Sequence, residues 1–369
     1  MKLLAFLKSC FAPTPQIARL NRWLLGIIAL LVCGLFILGW VANARYISRL
    51  HYAWGEPDLE LKIRYLHQAK AENYNTVFIG SSRTYHQIDP YLFDKITGRK
   101  SFNLGRPRLI PWESFVITEN FLEAPPPGIK TVFIEARFLG REDYLKDLAR
   151  HSYYKRWADM GDELSAILQS SGSFKEKARF LAATIALYLY RYSSPESLRW
   201  ARQSMTAKRS LKGGFDYLRS TRGFMPLEDG HSPTFAAERR KWLASIGSAT
   251  HLETYDSLKQ WLQINERHRE ANEALYRQYQ SLINRGKRHG IQVIPYIPAP
   301  IEWKNLRETY SYYDRLKPMT FDMADISESD YFWRVENCYA SHHLKPHAAK
   351  VYTEVLAKKF LELSKIKPE

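Results

Sequence analysis

Short apolar runs and amphipathic segments follow one another along the chain, which indicates strands and helices in turn. Runs rich in β-branched and aromatic residues predict buried strands at 76–80, 101–104, 130–138 and 291–298. Apolar positions at helical spacing predict helices at 91–97, 113–122, 256–286 and 346–363. Strands that alternate with helices are typical of a mostly parallel sheet covered on both faces, so the predicted fold class is α/β.

The stretch 146–250 departs from this rhythm and reads as a basic helical insertion between two βα units. Between Arg150 and Arg222 the chain has 14 Lys and Arg against 6 Asp and Glu, a net of +8. Within it, the apolar run FLAATIALYLY at 180–190 is too short to span a membrane. Two interpretations stay open for this run: a buried helix of the insertion, or an interfacial helix resting on lipid or on a membrane partner.

The longest apolar segment lies near the N-terminus. Residues 23–42 contain no charge, and 20 helical residues are enough to cross a hydrocarbon core of ~30 Å. Trp23 and Trp40 lie near its two ends, where aromatic rings favour the headgroup zone. The alternative is a cleaved signal peptide, whose apolar core is usually only ~7–15 residues long. We therefore predict an uncleaved transmembrane helix at residues 23–43.

Flanking charges predict the orientation of this helix. Four basic residues precede the apolar run and two follow it closely: Lys2, Lys8, Arg19 and Arg22, then Arg45 and Arg49. The positive-inside bias therefore places the N-terminus in the cytoplasm and residues 45–369 outside. The predicted organisation is a cytoplasmic leader at 1–22, the transmembrane helix, a membrane-proximal linker at 44–73, an α/β domain at 74–145 and 251–369, and the insertion at 146–250.

Net charge and cysteine usage narrow the partners. The 369 residues carry a formal charge of +16 and three cysteines. For an external domain with no RNP-like or zinc-finger motif we expect no nucleic acid, which leaves lipid headgroups or an anionic glycan. The cysteines form no disulfide framework, and Cys338 is either a nucleophile or a small buried residue. No carboxylate accompanies His343 and His347 at metal spacing, so we expect no metal and no cofactor.

Candidate chemistry follows the predicted strands. Ser81 and Ser82 come after the first strand and before a helix, so a serine here is either an N-cap or an exposed nucleophile. Gly105 follows the second strand, where a glycine lets a backbone N–H approach a reacting oxygen. His342 and His343 lie in a loop ahead of the last helix, and loops at one edge of such a sheet converge.

Three motifs together resemble a known family. The order GSSRT, SFNLG and HLKPHAAKVYTEVLAKKF resembles the SGNH (GDSL-type) hydrolase superfamily over about residues 74–140 and 285–363. More narrowly, it is similar to the membrane-anchored, extracytoplasmic branch that works beside membrane-bound O-acyltransferases in alginate acetylation and teichoic-acid D-alanylation. The resemblance implies a flavodoxin-like three-layer fold, anchored in a bacterial inner (cytoplasmic) membrane with its main domain in the periplasm.

The resemblance also implies roles for individual residues. Ser82 would be the nucleophile, His343 the base, and the N–H groups of Ser82 and Gly105 the oxyanion donors. Two positions depart from the family: Ala340 stands where an Asp is usual, and Glu135 stands at the tip of the third strand. Four residues are candidates for substrate binding or support, namely Arg83, Asn103, Glu135 and His342.

Two questions about these residues stay open: which group orients His343, and what Arg83 does. Glu135, Glu336 or a backbone carbonyl would have to replace the missing Asp in orienting His343. Arg83 would bind an anionic acceptor or form a structural salt bridge.

Two functions of different class follow from these observations. The first is a membrane-anchored O-acyltransferase or esterase that modifies a cell-surface polysaccharide by a Ser-His mechanism. The second is a catalytically degraded scaffold, an accessory subunit of an envelope polysaccharide assembly or acyl-transfer complex. In either case the expected partner is a membrane-bound O-acyltransferase or a polysaccharide-assembly protein. Ala340 is the position that separates the two.

Overall fold

The computed structural model describes most of the chain. The described residues are 15–46, 57–69, 72–136, 148–170, 172–193, 212–227, 233–246, 272–299, scattered positions from 306 to 316, 320–325, 330–340 and 343–366. Several predictions fall partly or wholly outside them. They include most of the leader at 1–22, the end of the strand predicted at 130–138, the first part of the helix predicted at 256–286, and His342.

The described residues form twelve α-helices. In chain order they are α1 Pro15–Tyr46, α2 Pro57–Gln68, α3 Ser82–Gln87, α4 Pro90–Thr97, α5 Pro111–Glu123, α6 Leu148–Tyr153, α7 Met160–Gln169, α8 Phe174–Ser193, α9 Lys212–Thr221, α10 Pro233–Ser245, α11 Glu273–Arg288 and α12 Pro346–Ile366. Local signals set several boundaries. Asp89 caps α4, Pro90 opens it, and Gly98 ends it at φ 69°.

A five-stranded parallel sheet forms the centre of the fold. Its strands are β1 Thr76–Ile79, β2 Ser101–Asn103, β3 Thr131–Glu135, β4 Gln292–Ile297 and β5 Phe321–Asp322, in the order β2-β1-β3-β4-β5. A separate antiparallel pair joins β6 Cys338–Ala340 to β7 His343–Leu344. The α/β class is confirmed, and the four strands predicted from the sequence correspond to β1, β2, β3 and β4.

Helices cover the two faces of the sheet. Phe78 of β1 and Phe133 of β3 stack on each other, and both contact Phe93 of α4. Phe360 of α12 packs on the same face, against Phe93 and Phe133. Helices α5 and α11 pack against each other. The chain moves in opposite directions across the sheet after β1 and after β2, so right-handed crossovers place α5 and α4 on opposite faces.

The segment predicted as a membrane-proximal linker contributes to the core. Its second half forms α2, whose Leu59, Ile63 and Leu66 are buried in the main hydrophobic cluster. These positions are three or four residues apart, so they share one face of the helix. Residues 47–56, between α1 and α2, lie outside the described part of the chain.

Helix α1 stands apart from the core. Residues 19–33 are exposed, and the stretch Arg19–Gly39 is long and apolar enough to cross a membrane. Its C-terminal half packs against α8 of the insertion, where a Cβ on Gly39 would lie 2.3 Å from the Tyr192 carbonyl oxygen. The insertion is helical where the structure describes it, as the sequence predicts.

Candidate active site

The site lies at the carboxyl ends of β1 and β3. The chain leaves β1 toward β2 on one side and returns to β3 on the other, and this switch opens a crevice between the two strand ends. Ser81 follows β1 and caps α3, accepting a hydrogen bond from the Arg83 backbone N–H. Ser82 is then the first residue of α3, and its side chain is half-buried.

A serine and a histidine meet in this crevice. The Oγ of Ser82 lies 2.9 Å from Nε2 of His343, although 261 positions separate them in sequence. His343 is 2% exposed and lies in β7, where it pairs with Ala340 of β6. A hydroxyl within hydrogen-bond reach of an imidazole nitrogen is the geometry in which the imidazole can remove the hydroxyl proton.

Glu135 organises the turn before Ser82. Its buried carboxylate accepts hydrogen bonds from the Ser81 N–H at 2.7 Å, the Ser81 hydroxyl at 2.8 Å and the Thr84 hydroxyl at 2.7 Å. The Arg83 guanidinium donates to the same carboxylate through Nε at 3.1 Å and Nη2 at 3.0 Å. Gly80 leaves room for this approach, since a Cβ there would lie 2.5 Å from a Glu135 carboxylate oxygen.

These contacts separate the roles of neighbouring residues. Ser81 is held by Glu135 and serves as the cap, whereas Ser82 presents its hydroxyl to His343. Arg83 is 5% exposed and forms the structural salt bridge, the second of the two interpretations open for it. The sequence offers two carboxylates for orienting His343. Glu135 instead accepts hydrogen bonds from Ser81 and Thr84 in the β1–α3 turn, and Glu336 is exposed.

Asn103 connects the end of α3 to the Gly105 loop. Its amide donates to the carbonyl oxygens of Thr84 at 2.7 Å and Ile88 at 2.8 Å, and its Oδ1 accepts from the Gly105 N–H at 2.8 Å. The N–H expected to stabilise an oxyanion therefore has an acceptor within its own loop in this structure. A side chain on Gly105 would collide with the helix, because a Cβ would lie 2.4 Å from the Tyr85 nitrogen.

Lys62 of α2 is a site residue that the sequence reasoning missed. Its buried Nζ donates to the carbonyl oxygens of Gly105 at 2.8 Å and Gly223 at 2.7 Å, and lies 4.2 Å from the centre of the Tyr85 ring. Burial lowers the pKa of Lys62 to about 7, partly offset by Asp58, while Arg106 lowers it further. A signal was present, because Lys62 lies on the same helix face as Leu59, Ile63 and Leu66.

The insertion forms one wall of the site, which the sequence also did not reveal. The Asn103 N–H donates to the Arg222 carbonyl at 2.9 Å, so the chain after α9 continues the edge of β2. The His86 Nδ1–H donates to the Met225 carbonyl at 2.7 Å, and the Met225 N–H donates to the Tyr85 carbonyl. The His86 ring lies 6.0 Å from the His343 ring.

Other candidate chemistry is weaker. Within the described residues, no group of three or more His, Cys, Asp or Glu side chains is arranged to hold a metal ion. Cys338 is buried and its thiol contacts the Phe332 carbonyl at 3.4 Å. Burial raises the pKa of Cys338 to about 12, which is the behaviour of a packed thiol and not of a nucleophile.

In sequence comparisons, no protein-family model and no curated protein matches this chain. The chemistry available to the site therefore follows from its own geometry.

Proposed function

We propose that the protein is a membrane-anchored serine acyl-transfer enzyme of the SGNH type, acting as an O-acyltransferase or esterase on a cell-surface polysaccharide. The observation that carries this proposal is the 2.9 Å contact between the Ser82 hydroxyl and His343 Nε2. The strand order β2-β1-β3-β4-β5 supports it, because flavodoxin-like sheets have this order and bind ligands at the same switch point.

In the proposed reaction, Ser82 Oγ attacks the carbonyl carbon of an ester or thioester as His343 Nε2 takes the hydroxyl proton. His343 then gives this proton to the leaving group, and the acyl group stays on Ser82. Water or a polysaccharide hydroxyl resolves the acyl-enzyme with His343 again as the base. The Ser82 N–H stabilises the oxyanion, and the Gly105 N–H joins it by exchanging Asn103 Oδ1 for the reacting oxygen.

The proposed setting is a bacterial inner membrane with the main domain in the periplasm. The apolar stretch Arg19–Gly39 supports the anchor, and the four basic residues before position 23 support the orientation. The proposed partner is a membrane-bound O-acyltransferase or another polysaccharide-assembly protein. Because Arg83 is neutralised by Glu135, an anionic glycan would be recognised by basic residues other than Arg83.

A second candidate function has an observation of its own. Ala340, which pairs directly with His343, supplies no carboxylate where SGNH enzymes usually have one. A triad lacking its acid can lose several orders of magnitude in rate. The alternative is therefore a catalytically degraded SGNH-fold scaffold within an acyl-transfer or polysaccharide-assembly complex.

One experiment separates the two functions. The full chain in detergent micelles is incubated with p-nitrophenyl acetate and, separately, with a fluorophosphonate probe. An enzyme is expected to release p-nitrophenol and to carry the probe on Ser82. Ser82→Ala should abolish both signals, and His343→Ala should reduce turnover by at least about 100-fold, since general base catalysis contributes on this scale.

His347→Ala is the matched control. His347 lies four residues from His343 and is exposed. Its Nε2 contacts the side-chain oxygen of Asn337 at 3.0 Å. Its substitution should leave turnover unchanged. Equal turnover in wild type, Ser82→Ala and His343→Ala, with no probe on Ser82, would reject the enzyme and leave the scaffold.

A further inference from the structure

Helix α8 has an exposed apolar face. One side of the helix is buried against α6 and α7, with Leu187 and Tyr188 fully covered. The opposite side carries what we call the apolar stripe, which consists of Phe174, Ala178, Ala182, Ile185 and Leu189. These residues are spaced three or four apart and therefore share one helix face. Phe174 is 89% exposed and Leu189 is 46% exposed.

The stripe is too continuous to be ordinary surface. Single exposed apolar side chains are common, but this row extends over about 22 Å of helix at 1.5 Å per residue. Leu168 enlarges the patch, since it is 56% exposed and its carbonyl accepts a hydrogen bond from Lys177 of α8. Continuous apolar patches of this kind mark surfaces that contact another apolar phase.

The stripe runs toward the outer end of the apolar helix α1. Tyr192 lies seven residues after Ile185, so it continues the same face of α8. At Tyr192 the backbone of α8 touches Gly39, the last residue of the stretch that can cross a membrane. This contact fixes one end of α8 at the height where α1 would leave the hydrocarbon.

We propose that the apolar stripe of α8 rests on the surface of the bilayer that α1 crosses. This inference depends on the proposed anchoring by α1 but not on the proposed chemistry. The occupant is lipid because the stripe is continuous with the membrane-crossing helix. Trp157, 44% exposed, stacks on Tyr192 with ring centroids 5.0 Å apart, a position that suits an aromatic ring at the headgroup level.

Charge on the edge of the stripe fits the same occupant. Lys175 and Arg179 are exposed and lie one residue after Phe174 and Ala178, so they border the stripe along its first half. Interfacial helices typically combine an apolar face with flanking Lys and Arg that reach anionic headgroups. The stripe would then lie about 5–10 Å into the boundary between headgroups and acyl chains.

The test measures lipid contact residue by residue in the full chain. In a background with Cys10→Ser, Cys33→Ala and Cys338→Ala, the variant Leu189→Cys is labelled with the fluorophore NBD. The protein is reconstituted into vesicles of phosphatidylethanolamine and phosphatidylglycerol that contain nitroxide-labelled lipid. We expect the lipid nitroxide to quench this label at least about twofold more than a label at a solvent-facing site, because the stripe is buried in the interface.

Leu243→Cys is the matched control. Leu243 is also a helical leucine of nearly equal exposure, 47% against 46%, but it lies in α10, which packs against β6. Adding Ile185→Glu to the Leu189→Cys protein should remove the extra quenching, while turnover of a small ester stays unchanged.

Two results would overturn the inference. Equal lipid quenching at positions 189 and 243 would show that the stripe does not lie on the bilayer. Protection of position 189 from aqueous iodide without lipid quenching would show that a protein covers it. Flotation of the vesicles reports α1 separately, since a chain that fails to float has lost the anchor and not merely the stripe.

Discussion

At the scale of single residues, the site depends on two buried titratable side chains, a carboxylate and an amine, whose surroundings differ. Glu135 is surrounded by donors, because Ser81, Arg83 and Thr84 all contact its carboxylate. Lys62 is surrounded by backbone carbonyls and an aromatic ring, which stabilise a donor but replace little of the water that its charge loses. Such an amine is cheaper to bury neutral, and a neutral amine still has two N–H groups for its two carbonyl partners.

The lowered pKa of Lys62 predicts a pH-dependent stability. Burial lowers this pKa from 10.5 to about 7, so between these values the unfolded chain binds a proton that the folded chain does not. Stability contributed at this position should therefore rise with pH from about 7 to about 10, by at most about 1.4 kcal/mol per pH unit. Denaturant unfolding of the full chain in micelles, wild type against Lys62→Met, measures the difference.

Lys62→Gln is the companion variant, because its amide keeps two N–H donors and does not titrate. Both variants should lack the rise, and Lys62→Gln should retain more stability than Lys62→Met at pH 7. Parallel pH profiles for wild type and both variants would contradict the assignment.

At the scale of elements, the edge of β2 depends on a turn contributed by the insertion. The Arg222 carbonyl accepts from the Asn103 N–H, and Gly223 packs against the Asn103 carbonyl at φ 76°. Only a glycine fits there, since a Cβ would lie 2.2 Å from that oxygen and a positive φ disfavours side chains. The turn thereby supports the strand that ends in Asn103 and leads into the Gly105 loop.

Two glycines allow this support to be measured. Gly98 also has a positive φ, 69°, but no atom lies within 4 Å of where its Cβ would be. Gly98→Ala should cost about 1 kcal/mol of unfolding free energy from backbone strain alone. Gly223→Ala should cost about 2–4 kcal/mol, because it adds a collision with the β2 backbone. Equal costs by denaturant unfolding in micelles would mean that the turn does not press on β2.

At the scale of the whole molecule, the anchor and the site are close together in the chain. Ten residues separate α1 from α2, and α2 supplies Lys62, which holds the Gly105 loop. The insertion makes contact at both ends, with α8 on α1 and residues 222–225 beside α3 and β2. The proposed active site is thus connected to the proposed membrane anchor α1 through two separate parts of the fold.

The proposed orientation makes a prediction for the intact chain in cells. Because the proposed orientation leaves the N-terminus in the cytoplasm, with four basic residues before the uncharged run 23–42, alkaline phosphatase fused after Glu369 should be active. A green fluorescent protein fused at the same place should be dark, because it would be exported in unfolded form. Mass spectrometry of the purified chain should also show that its N-terminal residues are still present. The reverse pattern of fusion activities would invert the topology, and loss of about the first 40 residues would mean a cleaved signal peptide.

Local pattern was sufficient for much of this protein. Strands β1 to β4 and the apolar helix could be predicted because apolar periodicity and breaking residues are properties of neighbouring positions. Ser82 and His343 could be named because each follows or precedes a predicted element in a recognisable motif. Three of the four shortest strands, β5, β6 and β7, were missed, since two or three residues show little periodicity.

Other features depend on positions far apart in sequence, and no local pattern encodes them. Arg83 pairs with Glu135 across 52 positions, and Lys62 reaches Gly223 across 161. Whether a buried charge finds such partners is settled when the chain collapses, because desolvation penalises every charge that is left unmatched. The same process turned the second half of a predicted linker into a core helix, brought the insertion to the wall of the site, and left one face of α8 uncovered beside α1.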